Sequence, residues 1–271
     1  MKLLAFSGKK SSGKTTTANW IIGQQMCAIQ MVSWIRINAK GQLIIPAVVD
    51  GELINGIFDP MSPDPDVQKM LAQYIWPSVK LYSFANTLKL SVMAIFGLSY
   101  DQVNGTNDQK NQLTQYKWGQ FWPFLNKSTK KMVISKYDNT YQAQSSYMSG
   151  REILQVFGTD IGRRINENVW GDACLREVQN DQPKLAIVTD CRFPSEVQAI
   201  QEAGGKVIRF LRAPFADQDE HSSEQALDNY PLENFDYVFD NRELSVEEQN
   251  KLTNELLTEW GYNTWDWEAT S

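Results

Sequence analysis

The chain has 271 residues, 42% of them hydrophobic, and a formal net charge of −6, enough length for one large core or a core with a subdomain. It contains no run of 18 or more apolar residues, which excludes a transmembrane helix, and mild net acidity alone gives no reason to expect a polyanion partner. Cys27, Cys174 and Cys191 are scattered without C-x-x-C spacing, which argues against a disulfide framework or a zinc site and fits a reducing cytoplasm.

The first apolar run, Leu3-Leu4-Ala5-Phe6, is too short for a signal peptide and leads at once into Ser7-Gly8-Lys9-Lys10-Ser11-Ser12-Gly13-Lys14-Thr15-Thr16. This reads as a buried strand, a glycine-bounded loop and a helix start. The spacing Gly8-x-x-x-x-Gly13-Lys14-Thr15 is the full phosphate-binding P-loop pattern in its required strand–helix context. Gly8 and Gly13 let successive N–H groups, including those of Lys10, Ser11, Ser12 and Thr16, curl around phosphate oxygens. The helix start adds its positive dipole end. Lys14 supplies a mobile charge for the β- and γ-phosphates, and the Thr15 hydroxyl is placed to ligate Mg²⁺. The expected ligand is a nucleoside triphosphate.

Helical periodicity follows over 15–26, with Ala18, Ile21, Ile22 and Met26 apolar. Strand-like segments at 32–37, 43–49 and 53–58, separated by turn signals, predict a β-hairpin or small meander. A second core strand is expected over 79–84 and a helix over 85–96. Residues 101–149, rich in Gln, Asn, Lys, Tyr and Trp, predict mostly irregular structure. Helical periodicity returns over 150–168 through Ile153, Leu154, Phe157, Ile161 and Ile165, and continues over 172–179. The last third predicts strands at 185–189, 207–211 and 237–239, a helix at 194–203, a loop at 213–222 and a helix at 246–260. Continuous apolar strands alternating with helices predict an α/β fold, a parallel sheet covered on both faces. The expected P-loop NTPase core comprises 1–28, 78–106 and 150–271, with a β-rich insertion at 29–77 and a basic, aromatic lid or substrate insertion at 107–149.

Such sheets bind ligands beyond the carboxyl ends of their strands. Lys89 follows the second core strand, where a cation near a helix N-terminus is misplaced unless an anion lies nearby or the residue is simply solvated. After the third, Thr189-Asp190-Cys191-Arg192-Phe193-Pro194-Ser195-Glu196 sets two acids and an arginine at the ligand edge. Asp190 suits Mg²⁺, its water shell or a substrate hydroxyl, and Arg192 suits a phosphoryl group. The same residues could instead cap the next helix.

The block Gly150-Arg151-Glu152-Ile153-Leu154-Gln155-Val156-Phe157-Gly158-Thr159-Asp160, followed by Trp170, resembles a signature of bacteriophage-type deoxynucleoside monophosphate kinases. So do Asp190-x-Arg192 with Glu196, Val207-Ile208-Arg209-Phe210-Leu211-Arg212, Asp219-Glu220-His221-Ser222-Ser223-Glu224 and Asp240-Asn241. With the P-loop and the stretch from Phe84 to Lys89, these span most of the chain in the family's order. The resemblance implies ATP- and Mg²⁺-dependent phosphorylation of a deoxynucleoside 5′-monophosphate in the cytoplasm, the host's if the chain is phage-encoded, with a homodimer as a possible assembly. It implies Lys89 and Arg151 on the acceptor phosphate, and Gln155, Gly158, Thr159 and Trp170 around the nucleoside. Asp190, Arg192 and Glu196 would lie at its sugar and phosphate side, Thr15 and Asp190 at the metal, and Arg212 at a lid beside the moving phosphoryl group. Thr15 stands where some relatives carry an acid.

His221, the single histidine, reads as a surface residue orienting the Ser222-x-x-Gln225 capping box. Two other functions stay open. Between Asp108 and Asp138 there is no acid, and Lys110, Lys117, Lys127, Lys130, Lys131 and Lys136 are interleaved with Tyr116, Trp118, Phe121, Trp122, Phe124 and Tyr137. That composition suits a kinase acting on a base or end in DNA, or a lid whose aromatics fill a subdomain core. A nucleotide-dependent binding protein without transferase activity is the other alternative.

Overall fold

The computed structural model describes residues 1–49, 51–214 and 226–265. In chain order its strands are β1 (Lys2–Ser7), β2 (Arg36–Ile37), β3 (Leu43–Val49), β4 (Glu52–Phe58), β5 (Val79–Tyr82), β6 (Leu113–Lys117), β7 (Tyr147–Ser149), β8 (Leu185–Cys191), β9 (Lys206–Phe210) and β10 (Tyr237–Phe239). The chain divides into two compact units, Met1–Ser83 with Leu175–Ser271, and Phe84–Cys174. The sequence division differs from this: residues 84–106 and 150–174, expected with the P-loop core, group with the basic insertion.

The first unit is built on a five-stranded sheet in the order β10-β9-β1-β8-β5, with every neighbouring pair parallel. Leu4, Ala5 and Phe6 of β1 and Leu185 to Val188 of β8 are wholly buried, because a parallel sheet with helices on both faces leaves neither side to solvent. The sheet is the predicted one. Helix α1 (Lys14–Ala28) buries Ala18, Ile21, Ile22 and Met26 in the same core. It is also covered by the insertion. Asn19 Nδ2 donates to Gly41 O at 2.8 Å, and a Cβ on Gly23 would lie 2.7 Å from Ile35 Cδ1 and 2.8 Å from Leu43 Cδ1. The insertion is an antiparallel β2-β3-β4 sheet. Of the strand expected over 32–37 only Arg36–Ile37 pairs; Val32 and Ile35 pack on the core instead.

The second unit corrects the expectation of irregular structure over 101–149. Helices span Tyr100–Asn104, Asn107–Lys110, Trp118–Phe121, Lys127–Tyr137 and Thr140–Ser145, and β6 pairs antiparallel with β7. The polar residues that suggested loops are helix caps. Ser99 with Gln102 and Thr106 with Gln109 form capping boxes, and Asn126 and Asn139 accept from the third residue beyond each. Trp118, Phe121, Leu125, Val133, Ala143 and Met148 share one core with Val92, Ile153 and Val156. The helix expected over 150–168 is also interrupted. Gly150–Gln155 is α-helical, Val156–Gly162 is π-helical, and Arg163–Ile165 returns to α. The wider π turns shift the face that follows, so Ile165, in phase with the apolar stripe by sequence, is 82% exposed.

Among the described residues no helix is long and apolar enough to cross a membrane. Ile187, fully buried in β8 between β1 and β5, makes a direct test of the core. Ile187→Ala should lower the unfolding free energy by roughly 2–5 kcal/mol, read from denaturant titration.

Candidate functional site

The loop after β1 folds around its own lysine. Lys14 Nζ donates to Gly8 O and Lys9 O, each at 2.7 Å, and to Ser12 Oγ at 3.3 Å. Gly13, at φ 103°, makes the turn into α1, and no side chain caps that helix start. At Gly8, φ is 151°, and a Cβ would stand 2.6 Å from Ser12 Oγ and 3.0 Å from Phe210 O. No larger residue fits there. Lys10, Ser11 and Thr15 are exposed, whereas Ser12 is buried. Thr16 faces the insertion instead, since a Cβ on Gly41 would meet its Oγ1 at 2.3 Å.

Register places the neighbouring charges. Ser7 at the end of β1 lies opposite Cys191 of β8 and Arg209 of β9, so residues at the ends of three adjacent strands converge on the loop. Arg209 Nη1 donates to Ser7 Oγ at 3.0 Å. Burial, then Arg192 and Arg209, push the Lys14 ammonium down to a pKa of about 8, with Asp190 partly opposing them. Burial also lowers Arg209, with Asp228 and Cys191 opposing. Asp190 Oδ2 accepts from Ser83 Oγ at 2.6 Å. These cations oppose one another, and a polyanion in the loop would favour the charged form of each.

The Glu196 carboxylate is buried and caps its own helix, accepting from Arg192 N at 2.7 Å and Phe193 N at 3.1 Å. It therefore orients the segment that carries Arg192. Arg212 holds backbone, with Nε donating to Asn241 O at 3.0 Å and Nη2 to Leu244 O. Sequence reasoning left Arg209, Ser83 and Gln249 without roles. A charge inside the otherwise apolar Val207-Ile208-Arg209-Phe210 was a usable signal for the first; Gln249 had none.

The remaining expected residues lie in the second unit. Lys89 is half-buried on helix Phe84–Phe96. Because that helix starts at Phe84, Lys89 falls in its second turn, beyond the reach of the dipole argument. The helix packs against Gly150–Gln155 and the π-helical segment, bringing together the elements that carry Lys89, Arg151, Gln155 and Thr159. Arg151 is aimed by two neutral amides, Nε to Asn111 Oδ1 at 3.1 Å and Nη2 to Asn107 Oδ1 at 2.8 Å. Trp170 is buried and donates its indole N–H to Gly158 O at 2.9 Å; a Cβ on Gly158 would meet Leu88 Cδ2 at 2.7 Å. Of the aromatics in the basic stretch, Trp118 and Phe121 are buried, Tyr116 donates its hydroxyl to Phe96 O at 3.0 Å, and Phe124 is exposed. The motif at 219–224, with His221, and Gln225 lie outside the described residues.

Residues 83–251 match the family described as deoxynucleotide monophosphate kinase. The deoxynucleoside-5′-monophosphate kinase of Escherichia phage T5 is 33% identical over 86 residues, which are 30% of this chain and 33% of that protein. A protein of Acanthamoeba polyphaga mimivirus, provisionally named deoxynucleotide monophosphate kinase, is 26% identical over 178 residues, 61% of this chain and 76% of its own length. The matched stretch thus spans a third of the phage relative. The family match begins after the P-loop, so the donor-site reading rests on motif and geometry.

A triphosphate bound in the loop would raise the depressed Lys14 pKa, so such binding would take up a proton wherever free Lys14 is deprotonated. ATP affinity should be flat below pH 8 and fall by up to about tenfold per pH unit above it. Lys14→Arg, which keeps its charge, should flatten the profile. Calorimetric titrations between pH 7 and 9.5 read both.

Proposed function

The chain belongs to the deoxynucleotide monophosphate kinase family, and from that premise we propose that it transfers the γ-phosphoryl group of ATP to a deoxynucleoside 5′-monophosphate, yielding ADP and the diphosphate. The observation that carries the donor half of this reading is the partly buried Lys14 ammonium, folded into the P-loop beside Arg192 and Arg209. A triphosphate supplies negative charge to a group of cations that Asp190 and Asp228 offset only in part.

The reaction forms a bond from an acceptor phosphate oxygen to Pγ and breaks the bond from Pγ to the β–γ bridging oxygen. That acceptor oxygen is already anionic, so no general base is required, and in-line positioning and charge stabilisation carry the rate. Lys14 moves from the loop carbonyls to the β- and γ-phosphate oxygens. Arg192, oriented through its backbone by Glu196, neutralises the transferring group with its planar fork. Arg209 and Arg212 add positive potential, the latter while holding 241–244 in place. The exposed Thr15 hydroxyl and the Asp190 carboxylate are the groups that would hold Mg²⁺, which supplies charge neutralisation at the β- and γ-oxygens. Lys89 and Arg151 hold the acceptor phosphate, and Gln155 and Thr159 contact its nucleoside. Gly158 and Trp170 shape that surface from beneath through their mutual hydrogen bond. The reaction belongs in the cytoplasm, where both substrates occur.

Coupled ADP release with ATP, Mg²⁺ and each deoxynucleoside monophosphate, with a short single-stranded DNA as a further acceptor, tests the reading. One or a few monophosphates should stimulate release strongly. Stimulation by DNA alone would overturn the proposal, as would ATP turnover indifferent to every acceptor. Lys14→Ala should reduce turnover by at least roughly 10³-fold. Arg151→Ala should raise the monophosphate KM by roughly 10- to 100-fold, the loss of a charge-assisted contact, with KM for ATP unchanged.

A further inference from the structure

Two side-chain amides from the end of the chain close on the P-loop backbone. Asn241 follows β10 and is fully buried, and Gln249, on helix Val246–Glu259, is 1% exposed. Asn241 Nδ2 donates to Ser12 O and to Gln249 Oε1, each at 2.7 Å. Gln249 Nε2 donates to Thr17 Oγ1 at 2.8 Å and to Gly13 O at 3.3 Å. Asn241 Oδ1 accepts from Arg212 N at 3.0 Å. All four amide hydrogens are thereby engaged, and both amide orientations are fixed by the network. The fit is close: a Cβ on Gly13 would lie 2.8 Å from Gln249 Oε1 and 3.0 Å from Asn241 Nδ2.

Buried amides fully matched to one another and to two consecutive carbonyls specify a single backbone arrangement. Both carbonyls are thereby held by donors of the protein, Ser12 O by Asn241, and Gly13 O by Gln249 as well as by Thr17 N at 2.9 Å. We propose that Asn241 and Gln249 are positioning residues of the phosphoryl-donor site, an amide clamp that sets the P-loop in its triphosphate-binding shape before nucleotide arrives. Preorganisation of this kind strengthens binding because the loop need not be ordered by the ligand. The proposal rests on the reading of Gly8 to Thr15 as the ATP site.

Gln249→Met keeps the chain length of the side chain and removes both donors and the acceptor. Thr17→Val removes a single partner of the clamp and is the milder variant should the first fold poorly. ATP Kd, measured by calorimetry well below the melting temperature, should weaken about tenfold in Gln249→Met and about threefold in Thr17→Val, equivalent to the loss of one or two ordinary hydrogen bonds. The double variant should match Gln249→Met alone, because Thr17 acts through Gln249. KM for the monophosphate should stay within about twofold of wild type, and the thermal shift produced by ATP should shrink with the loss of affinity. A purely structural role would lower the unliganded melting temperature and leave ATP Kd and the donor-to-acceptor KM ratio unchanged; that result overturns the clamp while leaving the ATP site intact. Failure of the wild-type chain to bind ATP at all would overturn the donor-site reading and the clamp with it.

Discussion

Lys14 is held where its own charge is disfavoured, by burial and by the like charges of Arg192 and Arg209. In the free protein its ammonium is satisfied by two backbone carbonyls and a serine hydroxyl. These are neutral acceptors, so they answer its hydrogen-bonding needs without cancelling the field of the neighbouring cations. A polyphosphate does both. On the proposed reading, a bound polyphosphate would relieve repulsion already built into the fold as well as add new contacts.

That electrostatic arrangement depends on strand order. Because β1 lies between β8 and β9, the residues that end three consecutive parallel strands share one edge of the sheet. The edge is fixed by a core with no solvent-exposed face, so the charged ends are carried on largely buried strands of the first unit. Glu196 and the amides of Asn241 and Gln249 then act at one remove, orienting the backbone that carries Arg192 and closing on the carbonyls of Ser12 and Gly13.

The parallel sheet and the strand–turn–helix at Lys2–Ala28 were legible because each is written locally, in unbroken apolar runs and in a fixed spacing of glycine, lysine and threonine. The second unit was not, since asparagine, glutamine and threonine signal loops by composition and here serve as caps for short helices. Their aromatic residues form a core only once residues distant in sequence meet. The π-helical segment escaped for a related reason: an α periodicity cannot register one widened stretch, and Ile165 exposes the error. The acceptor roles expected of Arg151 and Gln155 rest on the resemblance alone. The hydrogen bonds from Arg151 to Asn107 and Asn111 reach some forty positions back along the chain, and no local pattern announces them. The pairing of Gln249 with Gly13 and Thr17 is far more remote in sequence, with separations of 236 and 232 positions.

The most direct test of the cationic P-loop account is proton uptake on ATP binding, measured at pH 8 by calorimetry in buffers of different ionisation enthalpy. With free Lys14 half-protonated near that pH, ATP should draw in about half a proton, and Lys14→Arg should abolish the uptake. Tight ATP binding with no proton exchange would contradict the account, because the triphosphate would then be held without restoring the charge on Lys14.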